Sequence, residues 1–259
     1  MTKTAMQETE VLIVGGGLVG TTLGAALAEG GIETLLIDRQ PPETITGAAF
    51  DGRSSAIARG SQSVFAGLGL WESFAAAAQQ ILDIRVSDGK VGGGVSGLFL
   101  HYDHREQGGE DALPMGHIVE NRALRQGLAE AAPRRKLTIL APAELESLDR
   151  GPGGVEARLD GGRRIRARLA ISAEGRGARL REEAGIKTVG WSYPQVGIAG
   201  AIAHEEPHHR LAHEHSLPAG PLAGPPVVEP DEKIAVAGAL GIAPAMHGGG
   251  DAGHAHHHH

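Results

Sequence analysis

The order of apolar and polar positions divides the start of the chain into three elements. Residues 10–14 (Glu-Val-Leu-Ile-Val) form a short apolar run that ends in glycines, which is typical of a buried parallel strand. Residues 18–29 are rich in Ala and Leu and contain no Pro, which predicts a helix that ends at Gly30 and Gly31. Residues 33–37 predict a second strand. Strand, helix and strand within about 30 residues indicate a βαβ unit.

The same pattern predicts further helices and short strands along the chain. Helices are predicted at roughly 53–67, 70–79, 119–131 and 177–184, and strands at 82–87, 97–103, 137–140, 144–149, 154–159, 163–168, 169–175, 194–203 and 233–239. Leu124 and Leu128, four positions apart, give the third of these helices an apolar face. Because strands and helices alternate, we predict an α/β fold with a Rossmann-like parallel sheet and helices.

Composition narrows the class of protein further. The 259 residues suffice for one large domain or two small ones, and the net charge of −7 gives no indication of a nucleic-acid partner. No cysteine is present, which excludes disulfides, thiolate metal sites and a cysteine nucleophile, and fits a reducing compartment such as the cytoplasm. No run of about 18 apolar residues predicts a membrane-spanning helix. The final histidines, His254 and residues 256–259, resemble a purification tag and carry no functional weight.

A glycine-rich turn follows the first predicted strand. Gly15, Gly17 and Gly20 fit the pattern G-x-G-x-x-G, with Leu18 and Val19 between the last two glycines. In this pattern the first glycine allows a tight turn, the second lets a pyrophosphate approach the backbone, and the third lets the helix pack on the strand. Backbone N–H groups and the positive end of the helix dipole then attract the phosphates. The turn therefore predicts dinucleotide binding.

An acidic residue stands at the end of the second predicted strand. Asp38, which is followed by Arg39, can accept hydrogen bonds from the ribose hydroxyls of an adenosine. The alternative is a glycine turn that serves only the packing of the helix on the strand. The motif does not distinguish FAD from NAD, and a dinucleotide fold does not determine the reaction.

Three later motifs, together with the glycine-rich turn, resemble a known enzyme family. They are FDGRSSAIA at 50–58, GHIVENRALRQGL at 116–128 and ISAEGRGARLREEAGI at 171–186. In this order they resemble the FAD-dependent aromatic hydroxylases, and most closely the ubiquinone-biosynthesis branch of the 2-polyprenyl-6-methoxyphenol type. The likeness runs from about Glu8 to Pro221 and includes LFLHYDHRE, GWSYPQVGI and HEHSLPAGP.

The resemblance implies a set of residues that contact the cofactor FAD. In chain order they are Gly15, Gly17, Leu18, Val19, Gly20, Asp38, Arg39, Arg53, Asn121, Arg122, Glu174 and Gly175. The glycine turn would hold the pyrophosphate, Asp38 the adenosine ribose, and Arg53 would supply a fixed charge near the flavin. Asn121 and Arg122 would reach the flavin side from a helix start. Glu174 and Gly175 would form an acid–Gly turn that the family links to FAD and to NAD(P)H.

Structural alternatives stay open for the residues outside the glycine turn. Arg53 would otherwise be an ordinary exposed arginine, Asn121 a helix N-cap, and Glu174 a turn acid without cofactor contact. The sequence also departs from the family at this acid–Gly turn, where Glu174 replaces the usual Asp and Ala178 the usual Ser. The longer side chain shifts the carboxylate by one methylene group.

The resemblance also implies a domain organisation and an activity. Residues 1–186 would form the FAD-binding domain with an insertion around 82–113, residues 187–239 the strands of a partial β-sheet substrate domain, and residues 240–259 a Gly/His-rich tail. The activity would be hydroxylation of a polyprenyl phenol in ubiquinone biosynthesis with NAD(P)H and O₂. The substrate would be a small, lipidic aromatic molecule, and the protein would be cytoplasmic with peripheral contact to the inner membrane. No catalytic base is predicted, because the cofactor carries the chemistry.

One family feature is missing from the sequence. Family members carry a second Gly-Asp motif followed by long helices, whereas Ala239 stands here where that Asp is expected. We therefore expect an incomplete member of the family. Two alternatives stay open: a non-catalytic FAD-binding remnant or engineered minimal domain, and an NAD-dependent Rossmann oxidoreductase. The set Arg53, Asn121 and Glu174 favours FAD, because an NAD enzyme does not require it.

A cluster of histidines occurs late in the chain. Five histidines and three glutamates lie within residues 204–215. Imidazole and carboxylate groups bind Zn²⁺ or Ni²⁺, but the spacing matches no defined site and Pro207 interrupts any helix. We expect strand and loop residues here rather than a physiological metal site.

Overall fold

The structure is a computed structural model, which describes residues 6–45, 47, 52–90, 92–192, 195–218, 220–228, 234–237 and 241–244. Its helices are α1 (Leu18–Glu29), α2 (Pro42–Ile45), α3 (Arg59–Gly67), α4 (Asn121–Arg134) and α5 (Arg179–Glu183). Its strands are β1 (Met6–Val14), β2 (Thr34–Ile37), β3 (Ser54–Ala58), β4 (Ala78–Ile81), β5 (Asp83–Gly89), β6 (Val95–Asp103), β7 (Gly116–Glu120), β8 (Thr138–Leu140), β9 (Leu145–Gly151), β10 (Gly154–Leu159), β11 (Arg164–Ser172), β12 (Gln195–Ile198), β13 (Ala201–His204), β14 (Leu211–Leu217), β15 (Gly220–Gly224), β16 (Ile234–Ala237) and β17 (Gly241–Pro244). Ala239 and residues 245–259 lie outside the described residues.

The largest sheet has the strand order β8-β2-β1-β11-β10-β9. The pairs β8/β2, β2/β1 and β1/β11 are parallel, and β10 and β9 extend the sheet as antiparallel strands. The predicted βαβ unit is confirmed: α1 has the predicted bounds, and β1 pairs with β2 from Val11 opposite Thr34 to Val14 opposite Ile37. The α/β class and the Rossmann-like parallel sheet are therefore present.

Both faces of this sheet are covered, which explains the unbroken apolar runs of β1 and β2. Leu12 and Leu35 lie in one buried cluster, whereas Ile13 and Leu36 lie in another with Ala132 of α4. Neighbouring residues of a strand thus point to opposite faces. The glycine turn is thereby fixed at the C-terminal end of β1, above a buried sheet.

A second sheet has the antiparallel strand order β3-β7-β4. Its first strand corrects the sequence analysis, which predicts a helix over 53–67: residues 54–58 are extended, and the helix begins only at Arg59. All five residues of β3 pair with β7, from Ser54 opposite Glu120 to Ala58 opposite Gly116. Because intrinsic preferences are weak, this pairing with a distant strand decides the conformation.

The segment 70–79 also differs from the predicted helix. It contains two 3₁₀ turns, Trp71–Ser73 and Ala75–Ala77, before β4 begins. The Phe74 side chain is buried and meets the rings of Phe65 and Trp71 edge-on, with centroids 5.1 and 5.5 Å away. The burial of these rings sets the path of the chain, so the segment does not continue as a regular helix.

The remaining strands form a four-stranded sheet, β15-β14-β5-β6, and two ladders, β12/β17 and β13/β16. β5 and β6 correspond to the predicted strands at 82–87 and 97–103, while the strand predicted at 194–203 is two strands. The strands predicted separately at 163–168 and 169–175 are the single strand β11. The domain boundaries stay a prediction. Within the described part of the chain, no helix is long and apolar enough to cross a membrane.

Candidate functional site

The three glycines of the motif have different surroundings. Gly15 has a φ of +113°, which side chains rarely adopt, and a Cβ atom there would collide with the carbonyl group of Ala173. A Cβ atom at Gly20 would collide with the carbonyl oxygen of Gly15. At Gly17, by contrast, a Cβ atom would meet no atom of the described residues within 4 Å. Two glycines thus allow close packing, and the third leaves open space at the start of α1.

Sequence reasoning missed Gly16, which occupies the variable second position of the pattern. It is buried, and a Cβ atom there would lie 3.0 Å from Leu36 Cδ2 and 3.1 Å from Asp38 Cβ. Its backbone N–H donates a hydrogen bond to Asp38 Oδ2 at 2.6 Å. Three consecutive glycines, more than the pattern requires, were the signal that could have identified this position.

Asp38 lies directly after β2 and faces the glycine turn. Besides the Gly16 bond at Oδ2, its Oδ1 accepts a hydrogen bond from the backbone N–H of Gln40 at 2.7 Å. A carboxylate has about four lone-pair positions, so these two bonds leave acceptor capacity for ribose hydroxyls. Arg39, the next residue, is exposed.

A cavity of about 420 Å³ opens beside the glycine turn. It is lined by Gly16, Gly17, Leu18, Thr21, Leu36, Pro42, Arg125, Leu128, Ala129, Ala132, Pro133, Leu137, Ile139 and Ala141. Most of these groups are apolar, as in the pockets that bind the ring systems of cofactors. Leu18 lines the cavity, whereas Val19 is 73% exposed.

Arg125 is a second residue that sequence reasoning missed. Among the described residues that line the cavity, it alone carries a charge. It follows Asn121 by one helical turn on α4, and residues four apart share a helix face. This spacing could have identified it from the sequence. A guanidinium beside a phosphate-binding turn is suited to pair with phosphate oxygens.

Arg53, Asn121 and Arg122 lie where the start of β3 meets the start of α4. The Asn121 N–H donates to the Arg53 carbonyl at 3.0 Å, and the Asn121 Oδ1 accepts from the Ser55 hydroxyl at 2.6 Å. Arg122 Nε donates to Glu120 Oε2 at 2.6 Å. Asn121 is the first residue of α4 and Glu120 is its N-cap, so the N-cap alternative for Asn121 is wrong. The Arg53 side chain is exposed.

The acid–Gly turn follows β11, which pairs with β1, and therefore lies next to the glycine turn. The backbone nitrogen of Glu174 is 3.1 Å from the Cβ position of Gly15. The Glu174 carboxylate accepts a hydrogen bond from the backbone N–H of Leu180 at 3.4 Å, near the start of α5. Gly175 is exposed and has a φ of +79°. The turn touches the phosphate loop through its backbone, while the carboxylate contacts α5.

Asp83, Asp103 and His104 form a cluster that could hold a metal ion at the pairing of β5 and β6. Arg105, however, donates hydrogen bonds to both carboxylate oxygens of Asp103, with Nη2 at 2.7 Å from Oδ2. These bonds from the guanidinium hold the pKa of Asp103 well below its usual range. We therefore interpret the cluster as an ion-pair network.

The described histidines of the segment 204–215 lie on strand and loop residues, in agreement with the sequence analysis. His213 and His215 belong to β14, and His215 Nδ1 is 2.8 Å from the Ser87 hydroxyl. His208 Nε2 lies 3.2 Å from the Val227 carbonyl oxygen.

The glycine turn and the cavity fit the adenosine and pyrophosphate half of a dinucleotide. Gly17 leaves room for a phosphate at the start of α1, and as the N-cap residue it has no side chain to occupy the N–H groups of this helix. Asp38 stands at the end of β2 with spare acceptor capacity. Fold and site together define a dinucleotide-binding α/β protein of the Rossmann type.

The chain belongs to the FAD binding domain family, whose model matches residues 8–219. The glycine motif fits either FAD or NAD, and membership of this family indicates FAD. The chain is 46% identical over 224 residues to the ubiquinone hydroxylase UbiL of Rhodospirillum rubrum, covering 86% of this chain and 50% of that protein. It is 32% identical over 227 residues to the 3-demethoxyubiquinol 3-hydroxylase of Escherichia coli K12, covering 86% and 56%. The chain thus spans about half the length of these curated relatives.

Solved structures show the same fold at low sequence identity. PqsL of Pseudomonas aeruginosa in complex with 2-aminobenzoylacetate has a TM-score of 0.74 at 17% identity, covering 92% of this chain and 61% of PqsL. The tetrameric form of 2-methyl-3-hydroxypyridine-5-carboxylic acid oxygenase has a TM-score of 0.69 at 17% identity, covering 94% and 60%.

Proposed function

We propose that this chain is the FAD-binding part of a flavin-dependent monooxygenase that hydroxylates a polyprenyl phenol in ubiquinone biosynthesis, with NAD(P)H and O₂ as co-substrates. The observation that carries the proposal is the open side of Gly17, the N-cap residue of α1, next to the cavity. The FAD family and the relatives named as ubiquinone hydroxylases support the cofactor and the reaction class.

The adenosine half of the cofactor would be held by the glycine turn and the cavity. The N–H groups at the start of α1 would bind the pyrophosphate, assisted by the helix dipole and by the Arg125 guanidinium. Asp38 would accept hydrogen bonds from the ribose, and the apolar walls around Leu36 and Ile139 would bury the adenine.

The residues near β3 and α4 would orient the flavin half. Asn121, fixed by Ser55, would present its side chain toward the cofactor, and Arg53 would supply positive charge close by. The backbone of the turn at Glu174 and Gly175 would close the opposite side of the phosphate loop. FAD, when bound, supplies the oxygen-transfer chemistry, while these residues bind and orient it and limit access of water.

The proposed substrate is a small aromatic molecule with a lipid tail. We place the enzyme in the cytoplasm with peripheral contact to the inner membrane, where such a substrate would dissolve. The net charge of −7 gives no indication of nucleic-acid binding.

A non-catalytic FAD-binding unit is the second candidate function. It is favoured by the glycine turn and the cavity, which fit the adenosine and pyrophosphate half of FAD. Such a unit would retain flavin through the adenosine half and would not couple NAD(P)H oxidation to a phenol.

Flavin uptake followed by NADPH oxidation tests these proposals in sequence. The purified chain is incubated with FAD and passed over a gel-filtration column, and we expect flavin absorbance to elute with the protein. A colourless protein that takes up no added FAD contradicts both candidates. With flavin bound, NADPH oxidation stimulated by a polyprenyl phenol supports the monooxygenase, and flavin retention without stimulation supports the second candidate.

A further inference from the structure

Both backbone groups of Gly16 are held by side chains. Its N–H donates to Asp38 Oδ2 at 2.6 Å, and its carbonyl oxygen accepts from the Thr21 hydroxyl at 3.1 Å. Thr21 is buried on α1, and its own backbone N–H donates to the Gly17 carbonyl at 3.0 Å. The peptide units on both sides of Gly16 are therefore fixed, and the open side of Gly17 is fixed with them.

Close approach makes this arrangement possible. A side chain at position 16 would press against Leu36 Cδ2 and Asp38 Cβ, at 3.0 and 3.1 Å from its Cβ atom. With a larger residue there, Leu36 and Asp38 would have to shift by a few tenths of an ångström, which would disturb the bond from the Gly16 nitrogen to the Asp38 carboxylate. The second position of the pattern, variable in general, is thus constrained in this chain by the acid at the end of β2.

Asp38 is itself firmly held. Its backbone N–H donates to the Leu140 carbonyl at 3.1 Å, and its carbonyl accepts from the Ala143 N–H at 2.7 Å. Its second carboxylate oxygen accepts from the Gln40 N–H at 2.7 Å. Hydrogen bonds from N–H groups to a carboxylate are stronger than those between neutral groups. The Asp38 carboxylate is therefore held in place, and its hydrogen bond from Gly16 connects the end of β2 to the glycine turn.

We propose that Asp38 is a positioning residue, which holds the glycine turn in its phosphate-binding conformation before any nucleotide binds. This role is separate from accepting ribose hydroxyls, and the spare lone pairs of the carboxylate allow both. The proposal rests on the proposed function only in identifying the turn as a phosphate site.

Amide hydrogen exchange of the nucleotide-free chain tests the proposal, because no cofactor is involved. In Asp38→Ala we expect the Gly16 amide to exchange at least about tenfold faster than in the wild type, which corresponds to about 1.4 kcal/mol. Asp88→Ala is the matched control, since Asp88 Oδ1 also accepts the backbone N–H of a glycine, that of Gly89 at 2.9 Å, on β5 of a different sheet. In this control the Gly16 amide should exchange as in the wild type.

A second measurement uses inorganic pyrophosphate, which has no ribose. Removal of the Asp38 negative charge alone would strengthen binding of an anion, whereas loss of the positioned turn weakens it. We expect weaker pyrophosphate binding in Asp38→Ala. Should that variant fail to fold, Asp38→Leu, which keeps a branched side chain of similar shape without a hydrogen-bond acceptor, replaces it in both measurements.

The outcomes separate this proposal from the proposed function. Unchanged exchange of the Gly16 amide, or equal or tighter pyrophosphate binding, overturns the positioning role. Faster exchange in a chain whose wild type takes up no FAD leaves the positioning role intact and rejects the proposed cofactor.

Discussion

The Ser55 hydroxyl donates a 2.6 Å hydrogen bond to Asn121 Oδ1, and so joins β3 to the first residue of α4. The same asparagine donates its backbone N–H to the Arg53 carbonyl at 3.0 Å. Two elements that are far apart in the sequence are therefore fixed at one point. In the proposed function, this point would lie where the site passes from the adenosine half to the flavin half of the cofactor.

Removal of the Ser55 hydroxyl should weaken FAD binding. In Ser55→Ala the Asn121 side chain loses the partner that orients it, which is worth about 1 kcal/mol, or about fivefold in the dissociation constant. Titration of the purified, nucleotide-free chain with FAD, followed by flavin fluorescence, measures the change. Ser63→Ala is the control, because that hydroxyl donates to the Arg59 carbonyl on exposed helix α3. Equal FAD affinity in Ser55→Ala and the wild type would falsify the assigned role.

Two alanine substitutions in the glycine turn should affect different properties of the chain: Gly17→Ala its retention of FAD, and Gly20→Ala its stability without cofactor. In Gly17→Ala the new methyl group meets no atom of the described residues within 4 Å, so the free energy of unfolding of the nucleotide-free chain should stay near that of the wild type while FAD retention is lost. In Gly20→Ala the methyl group collides with the Gly15 carbonyl, and the cost of such overpacking is about 1–3 kcal/mol or more in the free energy of unfolding.

Urea unfolding without cofactor and gel filtration with FAD measure the two effects separately. Each variant is the control for the other, because both add one methyl group to the same turn. If Gly17→Ala still retained FAD as the wild type does, the phosphate would not approach the backbone at that position.

The sequence predicts those parts of the fold that are determined by residues within one segment of the chain. The strand β1, the helix α1 and the acid at position 38 follow from apolar runs, glycines and a strand end within one segment. The strand β3 was predicted as a helix because its Ser and Ala residues have weak preferences of their own, and because its partner β7 lies far along the chain. Because the partner strand is distant in the sequence, this pairing produces no hydrophobic periodicity within residues 54–58.

The residues of the candidate site divide in the same way, into those determined by the local sequence and those defined by contacts between distant segments. Gly15, Gly17 and Gly20 are predictable because each serves the turn in which it lies. Ser55 was missed because its role comes from its contact with Asn121, which only the folded chain brings together. The spacing of Arg125 from Asn121 was visible in the sequence, but the cavity that Arg125 lines was not.

The buried His117 should make the stability of the chain depend on pH. Burial lowers its pKa, and the ring lies against Trp71 with centroids 4.9 Å apart. The folded chain therefore keeps this ring neutral at pH values where the unfolded chain, with a histidine pKa of about 6.5, takes up a proton. The contribution to stability is complete above about pH 6.5 and decreases as the pH falls below it.

His117→Phe tests this dependence, because it keeps an aromatic ring against Trp71 and removes the titration. We expect the free energy of unfolding of the wild type to decrease more than that of the variant between about pH 7 and pH 5. Urea unfolding at a series of pH values measures both slopes. Parallel slopes would mean that the ring titrates alike in the folded and unfolded chains.

Arg135 should stabilise the junction of α4 with the turn after α3, and do so independently of the cofactor. Its Nη2 donates to the Leu68 carbonyl at 2.7 Å, its Nε lies 3.6 Å from Glu29 Oε2, and the side chain is only 12% exposed. In Arg135→Met the Leu68 carbonyl loses its partner, which should lower the free energy of unfolding by about 1–3 kcal/mol.

The adjacent Arg134 is exposed, so Arg134→Met should change the free energy of unfolding by less than about 0.5 kcal/mol. Urea unfolding of both variants measures the difference, and FAD affinity should be unchanged in both, because neither residue lines the cavity. Equal stability of the two variants would show that the Leu68 carbonyl finds another partner when Arg135 is removed.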